Sequence, residues 1–150
     1  MAKFTLEQAA DVLAIKQAIY EWGDELDIDS GLTMRERDCL TEDVRYFVGG
    51  EWREGLPAVE AFYRGRADAQ LSNPGKLITM RHIISSLRVS FDDADHARIG
   101  FLLVFFAALN DLDKYCDPLA VADVKMEARR GADGEWRISL FDSGQIFKRG

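Results

Sequence analysis

The chain has 150 residues, 47% hydrophobic and 30% charged, a balance expected of one globular domain spanning 1–150 that buries its core without disulfide or metal staples. A net charge of −7, with no clustered Lys/Arg face, excludes nucleic acid as a partner and disfavours anionic membrane surfaces. Cys39 and Cys116 form no CxxC pair and join no Cys/His cluster, which argues against a disulfide framework or a zinc site and for two buried, reduced thiols.

The opening Met-Ala-Lys-Phe-Thr lacks an apolar export core, and the longest apolar run, 99–109, falls far short of a membrane span. No membrane partner and a cytoplasmic location are therefore expected. A capping-box pattern at Thr5-Leu6-Glu7-Gln8 opens the first helix. Val12, Ile15, Ile19, Trp22 and Leu26 follow at three- and four-residue spacing, which predicts one buried face and a helix to about residue 27. Thr33-Met34-Arg35-Glu36 has the same capping pattern and predicts a short helix over 33–40, with 41–43 as a loop. Val44 to Val48, the Gly49-Gly50 turn and Glu51-Trp52-Arg53 predict a small hairpin, and Gly55-Leu56-Pro57 leads into a third helix over 58–71.

From Lys76 the pattern changes to extended runs at 77–92, 96–109, 119–130 and 135–148, rich in Val, Ile and Phe. The loops at 92–95 and 130–134 predict antiparallel pairing. Helices followed by long curled strands suggest an α+β layer, a bent antiparallel sheet wrapped around helices and open at one end. Residues 99–106 are apolar at both strand phases, so their outer face is expected to meet another copy of the chain, giving a homo-oligomer, dimer or trimer.

The order of elements and several strings together resemble the SnoaL-like branch of the NTF2-like superfamily, and within it the scytalone dehydratase family. The strings are Glu21-Trp22-Gly23-Asp24-Glu25-Leu26-Asp27, Leu56-Pro57-Ala58, Asn73-Pro74 followed by Thr79-Met80-Arg81-His82, and Gly134-Glu135-Trp136-Arg137-Ile138. The resemblance implies an NTF2-like cone, a curved antiparallel β-sheet wrapped around three N-terminal helices. It also implies an Asp27–His82 hydrogen-bonded dyad with Trp22 lining the pocket. Other pocket positions depart from the family. Leu102 stands where a second histidine is expected, Leu26 and Val48 stand in place of two tyrosines, and Ala and Asp around Asp123 replace a serine–asparagine pair. Scytalone itself is therefore not the expected substrate.

An imidazole beside a carboxylate can take a proton from carbon next to a carbonyl and return it to a leaving hydroxyl near neutral pH, with no metal or cofactor. In that chemistry His82 is base and then acid, Asp27 fixes its tautomer, and Tyr46 is a candidate donor to the developing enolate oxygen. His96, in the 92–95 turn region, reads as a surface residue, and the acidic clusters at 24–29 and 110–113 read as solvated charge lacking calcium-loop spacing. Phe101, Phe105, Phe141 and Phe147, if inward, favour a small apolar or aromatic substrate. The competing readings are an isomerase or cyclase of ketosteroid isomerase or polyketide type, with Asp27 itself the base, and a non-catalytic binder or assembly subunit like the β subunits of ring-hydroxylating dioxygenases.

Overall fold

In the computed structural model, residues 3–108 and 117–148 are described; Cys116 and the 110–113 cluster lie outside them. Helix α1 (Leu6–Asp29) starts as its capping box dictates. The Thr5 hydroxyl accepts from the Gln8 backbone N–H at 3.1 Å, and the Gln8 side chain accepts from the Thr5 N–H at 3.0 Å. Ile15, Ala18, Ile19, Trp22 and Leu26 are buried along one face. The helix ends at Ser30, which takes a left-handed conformation.

The last turn of α1 is acidic and holds no basic residue, an arrangement that opposes the helix dipole. Arg37, at the end of helix α2 (Met34–Arg37), supplies the missing charge. Its guanidinium lies 2.9 Å from Glu21, 2.9 Å from Asp24, 3.0 Å from Glu25 and 3.0 Å from Asp29. Acids expected to be merely solvated are thus gathered around one cation. Glu25 is fully buried and also accepts from the Thr33 N–H at 2.6 Å and the Thr33 hydroxyl at 2.8 Å. That engagement explains why α2 is shorter than expected: the Thr33 hydroxyl turns to Glu25 and makes no helix cap, and Asp38 adopts a left-handed conformation that ends the helix.

The chain then enters β1 (Leu40–Val48), earlier than expected, because the Cys39 carbonyl accepts from the Ile138 N–H at 2.8 Å and Leu40 pairs with Ile138. Strand β2 (Glu51–Glu54) and helix α3 (Leu56–Ser72) follow, then β3 (Thr79–Phe91), β4 (His96–Ala108), β5 (Ala120–Arg130) and β6 (Trp136–Lys148). The six strands form one sheet in the order β2-β1-β6-β5-β4-β3. The four long strands pair antiparallel, as does the β1–β2 hairpin, while β1 runs parallel to β6. Register shifts between Ser85 and Arg88, Val121 and Ala122, and Glu127 and Ala128 bend the sheet, as inserted residues do in antiparallel ladders.

Helices α1 and α3 bury Ile15, Ile19, Trp22, Val59 and Tyr63 in the same core as Phe101, Val124 and Ile138 of the sheet. In β4 the inward phase is Ala97, Ile99, Phe101 and Leu103, all buried. The opposite phase holds a cross-strand row of Ile83, Val104, Val121 and Phe147, of which Ile83 and Phe147 are exposed. Cys39 is buried beside Met34, and burial pushes its thiol up to about 12. Among the described residues no helix is long and apolar enough to cross a membrane.

Removing the Glu25 side chain strips a buried carboxylate from Arg37 and leaves the Thr33 donors unpaired, so Glu25→Ala is expected to cost about 3–5 kcal/mol in urea unfolding. A loss below about 1 kcal/mol would show that the Arg37 cluster does not hold α1 to α2.

Candidate active site

The open end of the cone holds a cavity of about 640 Å³, within the size range of small-molecule sites. Sheet register explains its floor. His82, Phe105, Ala120 and Lys148 form one inward row across β3, β4, β5 and β6, and Ile84, Leu103, Ala122 and Gln145 form the next. Ala120 and Ala122 occupy the middle of these rows, so space remains where larger side chains would have filled it. Trp22 and Leu26 of α1, Val48 to Gly50 of the hairpin, and Tyr63 and Arg66 of α3 complete the wall with Phe141 and Ser143 of β6.

Asp27 sits in the last turn of α1, one turn beyond Gly23, where an added Cβ would lie 3.5 Å from Ile84 Cδ1. Its two carboxylate oxygens each lie 3.0 Å from the His82 backbone N–H, and Oδ1 lies 2.6 Å from His82 Nδ1. The side chains of the pair retain only 10% and 13% exposure. A carboxylate accepts only, so Nδ1 carries a proton; in the neutral ring this is the tautomer that leaves the lone pair on Nε2, which has no hydrogen-bond partner among the described residues. The ring is held by Phe105, 4.7 Å away between centroids, and by the edge of Trp22 at 5.8 Å.

Tyr46 is completely buried. Its hydroxyl accepts from Trp22 Nε1 at 2.7 Å and bonds the Tyr63 hydroxyl at 2.6 Å, so it does not face the cavity as expected of an enolate donor. Tyr63 reaches the wall in its place. Burial raises both phenol pKa values, Tyr63 to about 12, which keeps both rings protonated.

Two further expectations are corrected by strand phase. Leu102 pairs with Asp123 on the face away from His82, and Leu103 and Ala122, one residue along each strand, point inward instead. Val48 and Trp22 do line the cavity. Of the four phenylalanines, Phe105 and Phe141 line it, Phe101 is buried below it, and Phe147 is 68% exposed on the outer face. His96 lies at the surface against Asp93, 2.8 Å away.

Sequence reasoning passed over Tyr63, Arg66, Ser143, Gln145 and Lys148. Tyr63 and Arg66 carry a usable signal, a three-residue spacing on one side of α3 shared with buried Val59. The β6 residues carry none, since their phase depends on the bulge at Val121/Ala122.

No match to a curated protein was found. Among solved structures the chain is similar to the Kfla4162 protein of Kribbella flavida, with 22% identity over 95% of each chain and a TM-score of 0.75. It is similar also to a candidate scytalone dehydratase of Novosphingobium aromaticivorans, at 13% identity over 97% of this chain and 91% of that one, with a TM-score of 0.76. An NTF2-like protein with a cystatin-like fold from the same organism aligns at 20% identity over 97% and 92%, with a TM-score of 0.67. These likenesses share the helices-then-curved-sheet architecture described above. Residues 7–142 match the family model of the SnoaL-like domain, and the chain belongs to that family.

Proposed function

We propose that this chain is a cofactor-independent hydro-lyase acting on a small hydroxylated cyclic ketone. The observation that carries the reading is the 2.6 Å contact of Asp27 with His82 Nδ1, which commits Nδ1 to the carboxylate and leaves Nε2 to serve as the base of a residue that lines the cavity. In the proposed reaction Nε2 removes a proton from the carbon next to the substrate carbonyl, and Asp27 stabilises the imidazolium that forms. The electron pair passes to the carbonyl as an enolate, whose oxygen accepts from the Tyr63 hydroxyl or from water. The enolate then expels the β-hydroxyl, which leaves as water with the proton returned by His82. A solved structure of similar fold that is described as a candidate scytalone dehydratase supports the same class of chemistry.

The isomerase alternative asks Asp27 itself to be the base. Both of its oxygens already accept from His82, which favours the imidazole. A purely structural cone would be filled, whereas the alanine rows leave about 640 Å³ open. Self-association through the outer sheet face belongs to the same proposal. The row of Ile83, Val104, Val121 and Phe147 places apolar side chains side by side on four strands, a pattern that monomers seldom leave uncovered.

Turnover of hydroxyketones, followed by the absorbance of the conjugated product, tests the chemistry. His82→Ala is expected to lower kcat/KM by about 10²–10⁴. Asp27→Asn is expected to keep the fold and lose a comparable factor through the wrong tautomer. Full activity in His82→Ala would end the mechanism. In sedimentation the wild-type chain is expected to run above monomer mass, and Val104→Lys as a monomer; a monodisperse wild-type monomer at high concentration would refute the interface.

A further inference from the structure

The chain carries an excess of seven negative charges, yet no carboxylate appears among the described residues lining the cavity, and two cations do, Arg66 and Lys148. Four other arginines give the contrast, while Arg81 and Arg88, which donate to backbone carbonyls, lie outside the cavity lining. Arg35, Arg37, Arg130 and Arg137 each engage two or more carboxylates. Arg66 engages none among the described residues, and its Nη2 is a buried donor with no acceptor. The guanidinium is stacked 4.8 Å above the Tyr63 ring, and that ring is held by the Tyr46 hydroxyl. A buried donor left unpaired costs about 1–3 kcal/mol, and a guanidinium fixed in place at a cavity wall recovers that cost only when an acceptor enters.

The position of the cations adds a direction. His82 lies on β3, at the sheet edge, while Lys148 closes the same inward row on β6, three strands away. Arg66 joins the β1–β6 side through the Tyr63–Tyr46 contact. The cavity therefore has a basic imidazole on one wall and positive charge on the opposite wall, with Phe105, the two alanines and Phe141 between them.

We propose that the substrate carries a carboxylate, bound by Arg66 with help from Lys148, at the end of the molecule remote from the carbon that His82 deprotonates. A carboxylate fits better than a phosphate, because the guanidinium edge can take its two oxygens in parallel hydrogen bonds, whereas the described lining residues offer no helix N-terminus of the kind that adds backbone N–H donors to a phosphate. The inference rests on reading this cavity as the substrate site and narrows that substrate to an anionic, flat, partly apolar acid. Arg66 is in this scheme a specificity residue.

The test compares 2-naphthoate with the isosteric, neutral 2-naphthamide by isothermal titration calorimetry. Wild type is expected to bind naphthoate at least about tenfold more tightly than the amide, since hydrogen bonds to charged groups are the stronger ones. Arg66→Gln should erase that preference by weakening naphthoate about 10- to 100-fold while leaving the amide unchanged. Lys148→Gln, an exposed change that does not threaten folding, should reduce the preference in the same direction. Equal affinity for acid and amide in wild type, no naphthoate binding up to millimolar concentration, or a preference unchanged in Arg66→Gln or in Lys148→Gln would overturn the proposal. His82→Ala should keep the preference intact, so loss of turnover there and loss of acid recognition in Arg66→Gln report on separate claims.

Discussion

The carboxylate of Asp27 ties the C-terminal end of helix α1 to strand β3, and the geometry of the site depends on it. Strand β3 is an edge strand, so the N–H groups it turns away from β4 need partners or water. Asp27 meets one of them, the His82 N–H, with both oxygens at 3.0 Å, and then reaches the imidazole of the same residue at 2.6 Å. One side chain thus closes part of an open edge, anchors the end of a long helix and orients a ring. Because the backbone and side-chain contacts share one carboxylate, the imidazole cannot swing without disturbing the joint between α1 and β3.

That arrangement places a negative residue near the C-terminus of α1, where the helix dipole disfavours it. The fold answers with Arg37, which gathers Glu21, Asp24, Glu25 and Asp29 on one guanidinium. Asp27 is left out of that cluster and stays available to His82. Behind the site a second buried network, Trp22 to Tyr46 to Tyr63, satisfies each polar atom it buries and carries order from α1 through β1 to α3. The cavity wall is therefore rigid where the rings interlock and open where Ala120 and Ala122 withhold volume.

Charge divides the cavity in a way the overall balance hides. A strongly acidic chain commits most of its arginines to its own carboxylates, so a cavity-lining guanidinium with a buried donor and no acceptor is informative. Arg66 has a stacking partner and no acid, and with Lys148 it turns one wall positive. The apolar, aromatic character expected from the phenylalanines survives in Phe105 and Phe141 but accounts for only part of the lining.

What the sequence determined by itself was local. The Thr5–Gln8 box and the Ile15, Ile19, Trp22, Leu26 stripe specify α1, because capping and helical period act within a few residues. The loops at 92–95 and 130–134 specify antiparallel pairing for the same reason. Asp27 and His82 were singled out by resemblance to a family, not by periodicity. The tertiary structure decided what local chemistry leaves balanced. Strand β4 is apolar at both phases, so only packing against α1 and α3 settles that Leu103 points in and Leu102 out. Thr33 could cap α2 or bind Glu25, and burial of Glu25 decides between them. Tyr46 and Tyr63 compete for the cavity wall, and Trp22 draws the first into the core. In each case two local answers differ by little in free energy, and contacts made by residues distant in the chain supply the difference.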